Sequence, residues 1–208
     1  RHRDDVHRLA KPSPHSTHTK TSQTYLFLHL HQGQSAAGCA HTMIQKKICL
    51  LGGFAVGKTS LVRRFVTGMF SELYQTTIGV TIEKKTLLVG DQDVTLMIWD
   101  LYGEDDFQKM RESYLRGSSG YILVADGMRR STLDTAEALH QLAQSTLGPV
   151  PFVLIVNKAD QLKEWEIDEA TLARLRHKGW LVFTGSAKTG DGVPELFMRL
   201  TQTLLEAA

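Results

Sequence analysis

Gly52-Gly53-Phe54-Ala55-Val56-Gly57-Lys58-Thr59-Ser60, or GGFAVGKTS, is the stretch that decides the fold. It satisfies G-x-x-x-x-G-K-[ST] and stands between an apolar run at 48–51 and a helically spaced segment at 60–66. Glycines permit a tight turn there. Successive backbone N–H groups and a helix N-terminus then meet anionic phosphates. Gly53, Phe54, Ala55, Val56, Gly57, Lys58, Thr59 and Ser60 are therefore candidate phosphate contacts. Lys58 supplies positive charge to the β- and γ-phosphates, and the Thr59 hydroxyl is a Mg²⁺ ligand. A glycine-rich turn with a surface lysine leaves the order Gly-Lys-Thr unexplained.

Outward from this loop, short apolar runs at 48–51, 96–99, 121–125, 152–156 and 181–183 alternate with helically spaced segments at 60–66, 131–145, 169–177 and 193–204. Nearly continuous apolar strands separated by helices indicate a parallel sheet covered on both faces. Residues 80–89 and 94–99 instead alternate in polarity and are joined by Gly90-Asp91-Gln92-Asp93, a hairpin signal. The expected architecture is a three-layer α/β domain. It has a six-stranded, mostly parallel sheet with one antiparallel edge strand, and five main helices. Ligands of such sheets bind outside the carboxyl ends of the strands.

The polar residues at those ends complete a nucleotide site. Asp100 follows the run 96–99 and is placed to reach the same Mg²⁺; Thr77 is the candidate second hydroxyl. Asn157-Lys158-Ala159-Asp160 follows the run 152–156. A carboxylate at Asp160 fits the N1–H and exocyclic amine of guanine. Adenine would leave it facing an acceptor, and unpaired buried polar groups discriminate strongly. Asn157 ties loops together near N7, and the Lys158 stem lies across the ring. Ser186-Ala187-Lys188 follows the last strand and offers the Ala187 N–H to O6. The base is read as guanine, which disfavours a P-loop kinase or ATPase.

Composition narrows the rest. Before Met43 there are five Lys or Arg against two Asp, and seven of the nine His; after it the charges nearly balance. No basic face argues for nucleic acid. Residues 1–42 are polar, without hydrophobic period, and are expected to be a disordered leader or a non-native extension ahead of a domain at 43–208. Its histidine spacings resemble no metal site, and its apolar stretch at 25–30 is too short to span a bilayer. Cys49 lies in the apolar run KKICLLGG and is expected to be a buried thiol. Two cysteines without metal or redox spacing point to a reducing, cytoplasmic setting.

From Met43 onward the chain resembles the Ras superfamily of small GTPases, and the Rab branch most closely. The resemblance rests on GGFAVGKTS, YQTTIGV at 74–80, WDLYGEDDF at 99–107, NKAD and GSAK. It implies a switch between GTP- and GDP-bound states with Mg²⁺. By resemblance Thr77 closes on the metal and γ-phosphate, Gly103 meets the γ-phosphate through its N–H, Phe70 packs against guanine, and Tyr74 covers the phosphates. Two loops that order with the γ-phosphate would engage effectors, exchange factors and activating proteins. Glu104, Lys58, Thr77 and Gly103 form the expected catalytic set.

Four departures bear on turnover and anchoring. Phe54 stands at a phosphate-loop position that is Gly in Ras, where its ring projects toward the space of the attacking water. Glu104 replaces the water-orienting Gln; a carboxylate accepts from water but cannot donate to the phosphoryl group. Leu101-Tyr102 replaces the usual Thr-Ala. The chain closes TQTLLEAA without prenylatable cysteines; taken at face value, no encoded lipid anchor is expected, and a shortened chain is the alternative. A monomer is expected. These features predict slow hydrolysis, or alternatively a scaffold that holds GTP without turnover. Trp99 and Trp180 read as packing residues, Trp165 as structural with a partner contact as the alternative, and 128–130 as an exposed loop before a helix starting at Ser131.

Overall fold

A computed structural model of the chain describes residues 43–71, 79–101 and 108–207. Six strands form one sheet in the order β2-β3-β1-β4-β5-β6. They are β1 (Ile44–Leu51), β2 (Val80–Val89), β3 (Gln92–Leu101), β4 (Gly120–Asp126), β5 (Phe152–Asn157) and β6 (Val182–Thr184). All neighbours run parallel except β2, which lies antiparallel to β3 at the edge. Five α-helices are α1 (Lys58–Thr67), α2 (Gln108–Leu115), α3 (Ser131–Leu147), α4 (Glu169–His177) and α5 (Val193–Glu206), with a 3₁₀ segment at Ala159–Glu164. The expected sheet, with its single antiparallel edge, is the one observed.

Alternation along the central strands explains the two covering layers. Every residue of β4 is buried. Ile122 and Val124 join Leu61 and Val62 of α1 and Leu196, Phe197, Leu200 and Leu204 of α5 in one core. Tyr121, Leu123 and Ala125 join Leu115 of α2, Leu133, Ala136, Leu139 and Ala143 of α3, and Leu172 and Leu175 of α4 in the other. A strand buried on both faces must be apolar at consecutive positions. Phe65 and Phe197 stack at 3.8 Å between centroids, locking α1 to α5.

Local chemistry sets the boundaries. The β2–β3 ladder closes at Val89 opposite Gln92, so the loop is only Gly90-Asp91, with Gly90 at φ 60°. Asp168 caps α4 by accepting from the Thr171 N–H at 2.8 Å. No side chain caps α1, which opens directly from Gly57 in the left-handed region. Its first N–H groups therefore face the loop that precedes it. Cys49 is a buried free thiol. Among the described residues no helix is long and apolar enough to cross a membrane.

Candidate functional site

The site is assembled at the carboxyl ends of β1, β3, β4, β5 and β6. Its first component is the turn from Leu51 to Lys58. Gly52 passes against β4 so closely that a Cβ would lie 2.3 Å from the Val124 carbonyl oxygen. Gly57, at φ 97°, lies where a Cβ would be 2.3 Å from Asn157 Nδ2. Glycine is thus required at both ends of the loop. Ala55 adopts the left-handed region at φ 56°. Phe54 is 46% exposed, and Ser60 lies half-buried in the first turn of α1.

Lys58 is only 7% exposed, and its ammonium donates to the carbonyls of Gly52 at 3.0 Å and Gly53 at 2.9 Å. The lysine thereby spans the loop it follows and holds a positive charge at its mouth. Thr59 Oγ1 donates to Asp100 Oδ2. Asp100 lies inside β3 rather than just after its strand, and is 1% exposed. Burial pushes its carboxyl up from the ordinary range; the Thr59 bond and the charges of Lys58 and Arg63 oppose that rise. Its Oδ1 has no hydrogen-bond partner among the described residues. An orphaned buried carboxylate oxygen beside a hydroxyl already donating the other way fits a hard divalent cation.

Residues at the ends of β5 and β6 form the second component. Asn157 ends β5, and its Nδ2 donates to the Val56 carbonyl at 2.8 Å while its Oδ1 accepts from the Ala187 N–H at 3.0 Å. One buried amide therefore joins the phosphate loop, β5 and the loop after β6. Ala187 N–H, expected to face the base, is engaged by Asn157 in this structure. Ser186 Oγ donates to Asp160 Oδ1 at 2.5 Å and accepts from the N–H groups of Lys188 and Thr189. Phe70 is half-buried beyond α1, and the Lys188 side chain is exposed. Tyr74, Thr77, Tyr102, Gly103 and Glu104 lie outside the described residues.

The third component escaped the sequence reading. Asp126, buried at the end of β4, accepts from Lys158 Nζ at 2.7 Å and Arg129 Nε at 2.8 Å, and from the Met128 N–H at 3.1 Å. Burial raises the Asp126 carboxyl, but Lys158, Arg129 and the Met128 amide together hold it below the usual range. Arg129 also donates to the Phe54 carbonyl at 2.9 Å. The segment 128–130 is thus half-buried and bonded, where an exposed loop was expected. Arg129 turns onto Asp126 because a buried carboxylate needs counter-charge, while Arg130 NH1 donates to Thr171 Oγ1 at 3.3 Å.

Trp165 takes the structural one of its two readings. Its indole N–H donates to the Lys158 carbonyl at 3.1 Å, and its ring leaves no room for a Cβ on Gly127, which would come within 2.2 Å. Trp165 braces Lys158, which sits in the left-handed region at φ 72°. Trp99 and Trp180 are packing residues as expected: Trp99 lies near Tyr114, and Trp180 packs edge-on against Phe152.

Comparison with known proteins agrees with this geometry. A family model described as the Ras family matches residues 47–206. Ras-related protein Rab-4 of Dictyostelium discoideum is 32% identical over 161 residues, covering 76% of this chain and 78% of its own. Ras-related protein Rab-19 of Mus musculus is 31% identical over 163 residues, covering 76% and 75%. Ras-related protein Rab5A of Oryza sativa subsp. japonica is 31% identical over 173 residues, covering 82% and 85%.

Proposed function

The chain belongs to the Ras family of GTP-binding switch proteins and is Rab-like, and on that footing we propose that it holds GTP or GDP with Mg²⁺ in the crevice described above and hydrolyses GTP slowly. One observation carries this reading. Asn157 bonds to both Val56 and Ala187, so the phosphate-binding turn and the guanine-reading loops belong to one rigid site.

The proposed roles follow from the donors and acceptors present. N–H groups from Gly53 to Ser60 and the Lys58 ammonium meet the phosphates. Asp160 accepts from the donor edge of guanine, and Ser186 fixes the carboxylate from the opposite side. Thr59 donates its proton to Asp100, and the Thr59 hydroxyl oxygen and Asp100 Oδ1 are the oxygens proposed to hold the metal. Mg²⁺, when bound, supplies charge neutralisation to the β- and γ-phosphate oxygens.

Slow hydrolysis is inferred from chemistry at two positions. Phosphoryl transfer depends on positioning and charge stabilisation. Phe54 keeps its backbone in the loop but places a half-exposed ring beside it. Glu104 brings negative charge where a water-orienting amide is expected. The stretches YQTTIGV at 74–80 and WDLYGEDDF at 99–107 carry the proposed nucleotide-sensing loops, through which effectors, exchange factors and activating proteins would bind.

The test begins with the nucleotide that copurifies, followed by competition between GTP and ATP. Guanine nucleotide bound about tenfold or more tightly than adenine nucleotide is expected, because an Asp built to accept from guanine rejects a base lacking those donors. Single-turnover phosphate release, with Glu104→Gln beside the wild type, then measures hydrolysis. Equal rates for the two would remove Glu104 from the mechanism. No release from the wild type would leave a GTP-holding scaffold.

A further inference from the structure

Helix α1 carries a second contact with the nucleotide crevice at its far end. Arg64 lies in its last turn, and its guanidinium donates in three directions. Nε meets the Ala187 carbonyl at 2.9 Å, NH1 meets the Gly68 carbonyl at 2.7 Å, and NH2 meets the Lys188 carbonyl. The same group lies 5.9 Å from the centroid of the Phe70 ring. One planar side chain thus joins the end of α1, the segment carrying Phe70 and the Ser186-Ala187-Lys188 loop.

The peptide unit between Ala187 and Lys188 is held on both sides. Its C=O accepts from Arg64 Nε, and its N–H donates to Ser186 Oγ at 3.1 Å. Ser186 in turn donates to Asp160, and the Ala187 N–H donates to Asn157. Bonds from the inner side therefore run to the base-reading residues. Arg64 closes the outer side, where two successive carbonyls face one fork. A lysine cannot reproduce this, because its ammonium is a point charge without a planar pair of donor directions.

We propose that Arg64 is a positioning residue that sets how long guanine nucleotide stays bound, by clamping the 186–188 loop and Phe70 to α1. The inference rests on the reading that the crevice holds guanine nucleotide. Arg64 does not touch the reacting atoms; it acts through Ala187, Lys188 and Phe70. Release of a bound base requires the 186–188 loop to move. A charge-assisted clamp on two of its carbonyls opposes that motion.

The experiment uses the full chain loaded with a fluorescent GDP analogue and chased with excess GDP, for wild type, Arg64→Ala and Arg64→Lys. Arg64→Ala is expected to release GDP about 10- to 100-fold faster, the range for losing hydrogen bonds to a charged group. Arg64→Lys keeps the charge and packing and should fall between the two. Hydrogen exchange separates the clamp from a plain helix-capping role. The clamp predicts faster exchange across 185–190 with 58–67 still protected, in whichever variant folds. Release at the wild-type rate in both variants overturns the proposal. So does faster release accompanied by lost protection across 58–67, because Arg64 would then only terminate α1. A wild-type chain that takes up no guanine nucleotide overturns both this proposal and the reading beneath it. Wild-type binding with unchanged release overturns the clamp alone.

Discussion

Replacing Asp126 by Asn tests what keeps the crevice rigid. The substitution preserves shape, and Oδ1 still accepts from the Met128 N–H at 3.1 Å. What disappears is the charge facing Lys158 at 2.7 Å and Arg129 at 2.8 Å. At an effective dielectric of about 20, each gross attraction is about 6 kcal/mol. Most of that is offset by the cost of burying the carboxylate. The two cations are also 34% and 42% exposed, so solvent screens what remains. The net loss is therefore about 1.5–3 kcal/mol, the scale of hydrogen bonds to a charged group. For a folded body of this size that corresponds to roughly 3–12 °C in Tm. The assay is thermal unfolding at fixed GDP concentration, wild type against Asp126→Asn. The pH dependence has a defined sign. Asp126 is held below its ordinary value of 3.8, so its stabilisation is fully present above that pH and fades as pH falls below it. The gap between the two proteins should stay constant from pH 7 to 5. A Tm difference under about 2 °C, or a gap already closing by pH 6, would refute the role assigned to Asp126.

Three further outcomes are expected. Gly127→Ala drives a methyl into the Trp165 ring and should cost about 1–3 kcal/mol by overpacking, with a shift in tryptophan emission; an unchanged Tm and spectrum would show that the ring yields freely. Asp100→Asn should raise the Mg²⁺ concentration for half-maximal slowing of GDP release by about 10- to 100-fold, as for a lost outer-shell carboxylate. If its magnesium titration overlays the wild type, Asp100 has no part in holding the ion. Phe54→Gly should change single-turnover GTP hydrolysis while GDP affinity stays within about threefold, because the loop binds phosphate through its main chain; a large affinity loss with unchanged hydrolysis would reverse that assignment.

Legibility of the fold tracked burial. The run 48–51 was readable because there β1 pairs with β4 as well as β3 and lies buried. Residues 44–47 belong to the same strand but pair only with β3, and all four stay outside the buried class. Their polar sequence, IQKK, carries no strand signal without that second neighbour. Helix α1 begins at Lys58, two residues ahead of its apolar period, because the phosphate turn sets its start. Helix α2, QKMRESYL, is only eight residues long and its apolar residues are Met110, Tyr114 and Leu115, too few to display a period.

The site divides along a similar physical line. Gly52 and Gly57 were readable because close backbone approach demands glycine, and Lys58, Asn157 and Asp160 stood out because phosphate charge and base donors, on the proposed reading, each call for a particular residue type. Arg64 and Arg129 act on main-chain carbonyls, which every residue provides, so nothing at the receiving end marks the contact. Arg64 reaches a carbonyl 123 positions away, and Arg129 one 75 positions away. Asp126 differs from both. It terminates the apolar run GYILVAD in the same way that Asp100 stands near the end of LMIWDL. Asp100 was singled out by its pairing with the phosphate-loop motif, and no motif marks Asp126; yet a buried carboxylate needs a counter-charge in either place. For Asp126 the cations are Lys158 and Arg129, supplied by the protein itself, whereas Asp100 Oδ1, without a hydrogen-bond partner among the described residues, is the oxygen proposed to face Mg²⁺.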